Sequence, residues 1–462
     1  MTVAELKELL TAGRHVHLIG IGGVSMFSLA EVLLGAGMVV TGSDLNESAN
    51  VLQLRSQGVT VFSGHFPENL EGAELVIRTA AVHDDNPEIQ AARERDIPVF
   101  ERAQAWGAIM MDYQNAICIS GTHGKTTTTS MCAHIAMAAN IDPTIMIGGN
   151  LPLLGASYRV GKGDTILLES CEYCNSFLSF RPTIAVILDI EEDHLDFFKD
   201  LADIEHSFRT FANLVPETGL VVANADDRNT MDTLDGVDRP FITFGLDSYA
   251  DVYCSEPVWE KGLPTFDLYQ GEEFICTVSL QVPGSHNVNN ALAAAAVALS
   301  IGIAPQAIAD GLHSYQGAER RFEYKGELNG AKIYDDYAHH PGELHVLLKT
   351  AKTLGYNRVI CAFQPHTYSR TKALFEDFVR ELQLADLTLL AEIFPARETN
   401  TLGLSSKDLA ARIPNAEYYA TFPELEARLR QLASPGDLIL TVGAGELNRV
   451  AAALTEGQTP ER

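Results

Sequence analysis

Basic side chains are scarce: 33 Lys and Arg stand against 61 Asp and Glu in 462 residues, a formal net charge of −28. A chain that acidic offers no broad positive surface to a phosphodiester backbone or an anionic bilayer, so no nucleic acid and no membrane surface is expected as a partner. Small anions remain open to it, because local Lys, Arg and backbone N–H groups can hold them. Long apolar runs are missing too. None approaches about 20 residues, so no membrane-spanning helix is expected. The opening stretch, with Glu5, Lys7 and Glu8, carries charge and no apolar core, so no secretory signal is expected either. Cysteine is sparse. Seven residues, an odd number scattered along the chain, fit reduced thiols in a cytoplasmic protein better than a disulfide framework. There is no repeat and no low-complexity tract, and only the tail 457–462 reads as disordered.

What is present is apolar content, 46%, ample for several cores, and a length that suits two to four domains. The most informative stretch is Ile117-Cys118-Ile119-Ser120-Gly121-Thr122-His123-Gly124-Lys125-Thr126-Thr127. An apolar run reads as a buried strand, followed by a Gly-rich turn and a Lys-Thr pair that opens a helix. Such a turn lets backbone N–H groups close on phosphates while the helix N-terminus adds positive potential. Lys125 is placed to reach the terminal phosphates and Thr126 to ligate Mg²⁺. The spacing is the shorter G-x-x-G-K-T, since Ile119 stands where the full Walker pattern has Gly. Nucleoside triphosphate binding is the first expectation.

Upstream, a strand at 15–19 runs into Gly20-Ile21-Gly22-Gly23-Val24-Ser25-Met26 and an apolar helix, and a second strand at 38–41 ends near Asp44. This is a Rossmann-like βαβ pattern in which Ser25 replaces the third glycine. NAD, another ligand diphosphate and glycines present for packing alone all remain open here. Downstream, a strand at 164–170 carries Glu169 at its end, and a second at 183–190 leads into Glu191-Glu192-Asp193-His194-Leu195-Asp196. Strand-end carboxylate and imidazole beside a phosphate loop suggest a Mg²⁺ site. Cys171 and Cys174 form a single C-x-x-C with no second pair and no thioredoxin-like setting, so they read as structural. Gly284-Ser285-His286-Asn287-Val288-Asn289-Asn290 opens an Ala-rich helix. Further strands at 333–337, 358–363, 387–394 and 437–442 end in polar clusters that include Asp336, His339, His340, His366 and Arg370. In open α/β sheets such strand ends bind ligands.

Taken in order, these motifs resemble the Mur ligases over nearly the whole chain. The resemblance rests on Gly20 to Met26, Gly121 to Thr127, Glu191 to His194, His286-Asn287 with Asn290, Arg320-Arg321-Phe322, Asp335-Asp336-Tyr337-Ala338-His339-His340-Pro341 and Phe363-Gln364-Pro365-His366-Thr367-Tyr368-Ser369-Arg370. His123, where other branches have Asn, points to the alanine-adding branch or to its relative that recycles murein tripeptide. Tyr337 and the run from Gln364 to Arg370 look like the former, although Thr367 departs from relatives that carry Arg there.

The resemblance implies an α/β fold of three domains: an N-terminal Rossmann-like domain (1–107) for the UDP-sugar, a central P-loop ATPase-like α/β domain (108–314) for ATP, and a C-terminal Rossmann-like α/β domain (315–462) for the amino acid. It implies an ATP-dependent, amide-forming ligase of peptidoglycan precursor synthesis that takes UDP-N-acetylmuramate and L-alanine with Mg²⁺, in the cytoplasm, as a monomer or homodimer. Lys125, His194, His339 and Arg370 are its implied catalytic residues. Gly121, Thr122, His123, Gly124, Lys125, Thr126, Thr127, Asn290, Arg321 and Asp336 would contact ATP. Gly22, Gly23, Ser43, Asp44, Glu172, His366 and Arg370 would bind the other substrates. Thr126, Glu169 and His194 would hold the metal. A nicotinamide dehydrogenase and a non-catalytic nucleotide-binding regulator are the rivals from other classes.

Overall fold

The computed structural model describes residues 2–195 and 197–456; Asp196 and the tail 457–462, expected to lack order, lie outside the described residues. The chain divides into two compact units. The first comprises Met1–Glu256, Asp267–Val278 and Asn289–Ser314, and the second Pro257–Phe266, Ser279–Val288 and Tyr315–Arg462.

The first unit carries two sheets. One has five parallel strands in the order Thr60–Ser63, Val39–Asp44, His15–Ile19, Leu75–Arg78, Val99–Glu101. Its first strand in sequence lies at the centre, so the loops after His15–Ile19 and Leu75–Arg78 face each other where the winding reverses. In the other sheet, the phosphate-loop strand Asn115–Ser120 lies between Ile184–Ile187 and Thr165–Glu169, parallel to both. Residues 116–120 are all buried, as a strand covered on both faces requires. Leu220–Asn224, Phe241–Gly245 and Val252–Cys254 extend this sheet on one side. Thr144–Leu151 and the antiparallel Ala156–Arg159 extend it on the other.

The expected boundary at 107/108 falls inside the helix Arg102–Met110. That helix brings fully buried Trp106 into one apolar cluster with residues of both sheets. It also passes so close to the turn Tyr173–Ser179 that a Cβ on Gly107 would stand 2.0 Å from the Ser179 carbonyl oxygen. The two sheets therefore share a core.

The second unit carries a six-stranded sheet in the order Glu323–Leu328, Ala331–Asp336, Leu438–Val442, Val359–Phe363, Leu387–Ala391, Ala416–Tyr419. Its first pair is an antiparallel hairpin and the rest is parallel. Two expected strands are shorter than their apolar runs. The run 387–394 stops pairing at Ala391, and Phe394 instead bridges His366. The run 183–190 stops at Ile187: the Leu188 N–H donates to the Ser120 carbonyl, the Asp189 carbonyl accepts the Thr122 N–H, and the Ile190 N–H turns to Asp227 Oδ2.

Candidate active site

The loop between Ser120 and Lys125 holds its shape through two glycines that no other residue could replace without strain. Gly121 has φ +142°, and a Cβ there would lie 2.9 Å from Leu188 and from Asp189 Oδ1. Gly124 sits in the left-handed region at φ +78° as N-cap of the helix Lys125–Ala138, and a Cβ there would lie 2.5 Å from Asn290 Oδ1. The loop is tied to the end of the neighbouring strand. Thr122 N–H donates to the Asp189 carbonyl (3.1 Å) and His123 N–H to Asp189 Oδ1 (2.8 Å). Thr122 Oγ1 accepts from Glu191 N–H (2.8 Å), and His123 Nε2 lies 3.2 Å from Glu191 Oε2. Asp189 was not anticipated; the one signal for it is a carboxylate interrupting the apolar run 183–190. Burial pushes its carboxyl up to about 6, against the pull of His123.

The Lys125 ammonium curls back over the loop, donating to the carbonyls of Gly121 and Thr122 and to Glu172 Oε2 (3.2 Å). Burial alone would lower its pKa. Charge interactions, Glu172 foremost and then Cys171, Glu169 and Asp189, outweigh that and hold the ammonium charged. Thr127 lies in the first helical turn beside it.

Of the expected metal residues, Thr126 and Glu169 are in direct contact. Thr126 Oγ1 donates to Glu169 Oε1 (3.0 Å), and Glu169 Oε2 accepts the Gly148 N–H (2.7 Å). A Cβ on Gly148 would stand 2.6 Å from that carboxylate, so the Gly here is a second unanticipated requirement of the site. His194 approaches Glu172: its Nε2 lies 3.7 Å from Glu172 Oε1 and 3.7 Å from Asp193 Oδ2. Glu169 and Glu172 end the same strand region three residues apart, and the turn that begins between them sends them to different partners. Asn290, buried on the helix Ser285–Ser300, accepts from Thr128 Oγ1 (3.2 Å).

In the five-stranded sheet, Asp44 is engaged with the chain itself. Its Oδ2 accepts the Gly22 N–H (2.9 Å) and its Oδ1 the Asn46 N–H (2.9 Å). Gly22 has no room for a Cβ, which would meet Asp44, Val51 and Ser48 within 2.9 Å. Gly23 is the N-cap of the helix Val24–Gly35. Ser43 differs from expectation: it is fully buried, its hydroxyl donating to Glu88 Oε2 (2.7 Å) beside His65. Its side chain serves a buried polar network and is not presented to a ligand.

In the second unit, the ends of Ala331–Asp336 and Val359–Phe363 bring His339, His366 and Arg370 together. The rings of His339 and His366 are 5.9 Å apart, and Arg370 Nη1 lies 3.4 Å from His366 Nδ1. Burial, helped by charge interactions with His339 and Arg370, lowers His366 to about 4, so its ring is neutral near pH 7. Thr367 caps the helix Tyr368–Ala373, its hydroxyl accepting from Arg370 N–H (3.4 Å). Asp336 is buried and pushed up to about 6 by that burial, while its oxygens accept the N–H groups of Phe322 (2.7 Å) and Ala338 (2.8 Å). Arg321 lies over the Tyr337 ring at 5.5 Å and 3.7 Å from Glu343 Oε1. Glu343 also accepts the His339 and His340 N–H groups in a capping box on Pro341–Thr353, a role visible only once that helix start is known.

Three family models match in order along the chain. They are the "Mur ligase family, catalytic domain" over 15–114, the "Mur ligase middle domain" over 119–298, and the "Mur ligase, glutamate ligase domain" over 320–445. The UDP-N-acetylmuramate–L-alanine ligase of Clostridium novyi is 45% identical over 449 residues, 96% of this chain and 98% of that one. The solved structure of the UDP-N-acetylmuramate–alanine ligase of Thermotoga maritima superposes with a TM-score of 0.79 at 28% identity, covering 96% of this chain and 98% of the other. A murein peptide ligase of Psychrobacter arcticus gives a TM-score of 0.70 at 26% identity, with 97% and 100% covered. A phosphate loop braced by the strand end beside it, set within three matched domains, leaves one assignment: the chain belongs to the Mur ligase family.

Proposed function

We propose that this chain joins L-alanine to the lactyl carboxylate of UDP-N-acetylmuramate, at the expense of ATP, in peptidoglycan precursor synthesis. The observation that carries the reading is the 45% identity with the Clostridium novyi alanine ligase across almost the full length of both chains. It also ends the nicotinamide reading of Gly20 and Gly22, since a Mur ligase needs no hydride carrier.

The chemistry explains the parts. A carboxylate is a poor electrophile at neutral pH. Transfer of the γ-phosphoryl group turns it into an acyl phosphate with a good leaving group. The amine of alanine then attacks, and phosphate departs from the tetrahedral intermediate. In this reading the N–H groups of the Gly121–Lys125 turn cradle the phosphates at the helix N-terminus, and Lys125 exchanges its carbonyl partners for the transferring phosphoryl. The Thr126 hydroxyl and Glu169 carboxylate are oxygen donors 3.0 Å apart, the donor type a hard cation selects. They would hold Mg²⁺, with His194 and Glu172 as a further nitrogen–oxygen pair. Bound there, Mg²⁺ would neutralise charge on the phosphoryl oxygens. Asn290 faces adenine, and Asp336 and Arg321 the ATP ribose and phosphates. Arg370 binds alanine's carboxylate, while His339 and the neutral ring of His366 orient it. Gly22, Gly23 and Asp44 hold the UDP moiety. The three expected segments, 1–107, 108–314 and 315–462, would take UDP-sugar, ATP and amino acid in turn, the first two on sheets that share a core.

The second reading, a preformed peptide in place of alanine, draws on the similarity to the Psychrobacter arcticus ligase. A panel of L-alanine, L-serine, glycine and tripeptide separates the two. Turnover with free L-alanine is expected, and exclusive use of tripeptide would overturn the proposal.

A further inference from the structure

Arg102 has no part in the assignments above. It is the first residue of the helix Arg102–Met110 and directly follows the strand Val99–Glu101. That is the end of the five-stranded sheet that also carries Gly22 and Asp44, and the end at which parallel sheets bind ligands. Its side chain is half-buried, yet among the described residues no hydrogen bond or ion pair reaches the guanidinium. The adjacent carboxylate is engaged elsewhere: Glu101 Oε1 accepts from Arg78 Nη2 (3.0 Å). Stability alone does not account for such a residue. A guanidinium drawn back from water without a partner forfeits hydration, and a cation in the first turn of a helix meets the positive end of its dipole. No acidic residue in that turn offsets it.

The surroundings show what the guanidinium is near. Burial lowers its pKa, and charge interactions with Cys171 and then Glu101 offset that only in part, so Cys171 lies within its electrostatic reach. Cys171 Sγ is within 4.8 Å of a Glu172 carboxylate oxygen, and Glu172 Oε2 holds the Lys125 ammonium at 3.2 Å. The helix is pinned in place. Trp106 is buried, and Gly107 packs against Ser179, in the turn Tyr173–Ser179 that follows Cys171 and Glu172. Arg102 thus brings an uncommitted cation from the Gly22 and Asp44 sheet to the neighbourhood of Lys125.

We propose that Arg102 binds the lactyl carboxylate of the sugar nucleotide, the group that receives the phosphoryl. The proposal rests on the ligase reading and deepens it. The carboxylate must approach a γ-phosphate that is itself anionic, in a site that already holds Glu169, Glu172 and Asp189. Lys125 is occupied by the phosphates, so a second cation has to offset the acceptor's charge. The guanidinium fork matches a carboxylate with two parallel N–H groups, which fixes its orientation as well as its position for attack on phosphorus.

Calorimetry on the full chain, with Mg²⁺ and a non-hydrolysable ATP analogue present, compares UDP-N-acetylmuramate with UDP-N-acetylglucosamine, which lacks the lactyl group. The unaltered protein should bind the muramate more tightly. Arg102→Ala should weaken muramate binding by about 10–100-fold, as expected for a lost charged hydrogen bond, and leave UDP-N-acetylglucosamine unchanged. Arg102→Lys, which keeps the charge without the fork, should fall between. Equal losses for both nucleotides would move Arg102 to the diphosphate and overturn the proposal. Urea unfolding separates binding from folding. Removing an unpaired, half-buried charge should leave the midpoint unchanged or raise it, whereas binding lost together with a lower midpoint in both variants would mark a structural role and overturn the proposal. Muramate binding by the unaltered protein that neither substitution weakens would overturn the part given to Arg102 alone. Unaltered protein that binds neither nucleotide would overturn the ligase reading, and this proposal with it.

Discussion

Replacing Gly124 by alanine tests whether the phosphate loop is held by geometry or by composition. The residue sits at φ +78°, where an L side chain costs about 1–2 kcal/mol. Its new Cβ would also stand 2.5 Å from Asn290 Oδ1. Asn290 is buried and must move, giving up the hydrogen bond it accepts from Thr128, worth about 0.5–1.5 kcal/mol. The single change should therefore destabilise by about 1.5–3.5 kcal/mol, the sum of the backbone strain and the lost bond. Asn290→Ala alone loses the hydrogen bond, about 1 kcal/mol, and makes room for the Cβ. In the double variant the bond can be lost only once, so its cost should fall short of the sum of the two singles by about 1 kcal/mol. Urea unfolding of the four proteins, followed by circular dichroism, measures the difference. Strict additivity would refute the claim that Gly124 and Asn290 compete for the same space, and a stability of Gly124→Ala equal to the parent's would refute the backbone argument as well.

Three further outcomes follow from the same geometry. Lys125→Ala should lower turnover by about 10²–10³ while leaving UDP-sugar binding, measured by calorimetry, intact; normal turnover would remove Lys125 from phosphoryl transfer. Arg370→Ala should raise the KM for L-alanine by about 10–100-fold, as expected for a lost charged hydrogen bond, with the KM for ATP unchanged; a rise in the ATP value alone would relocate Arg370. His134, bonded to Ser314, is lowered by burial to about 4 from the ordinary 6.5. Its folded pKa is depressed, so the unfolded state takes up the proton first, and the stability tied to the neutral ring is complete above pH 6.5 and lost as pH falls toward 4. Relative to the parent, His134→Gln should gain about 1.4 kcal/mol per pH unit across that window; a difference independent of pH would show that the ring titrates normally.

The sequence revealed what local pattern controls. Parallel strands buried on both faces are unbroken apolar runs, so Asn115–Ser120 and Thr165–Glu169 were visible within a residue or so, as were the glycines at the turns. Partnerships between distant residues were not. Asp189 meets His123 across 66 positions, and nothing local marks the carboxyl as that amide's acceptor. Glu169 and Glu172 both follow one strand, and only the turn between them decides that Thr126 takes the first and His194 the second. The resemblance puts Ser43 with Asp44 among the substrate-binding residues, and nothing local shows that its hydroxyl meets Glu88 and His65. The resemblance implies a domain limit at 107/108, and no local pattern shows that Trp106 and the close approach of Gly107 to Ser179 join the two sheets in one core there.

The most direct measurement is ADP release by the purified protein in a coupled assay with ATP and Mg²⁺, run with UDP-N-acetylmuramate and L-alanine together and with each omitted. ADP release matched by new amide only when both are present is the predicted result. Release indifferent to alanine and the sugar nucleotide, or none with all reactants supplied, would contradict it.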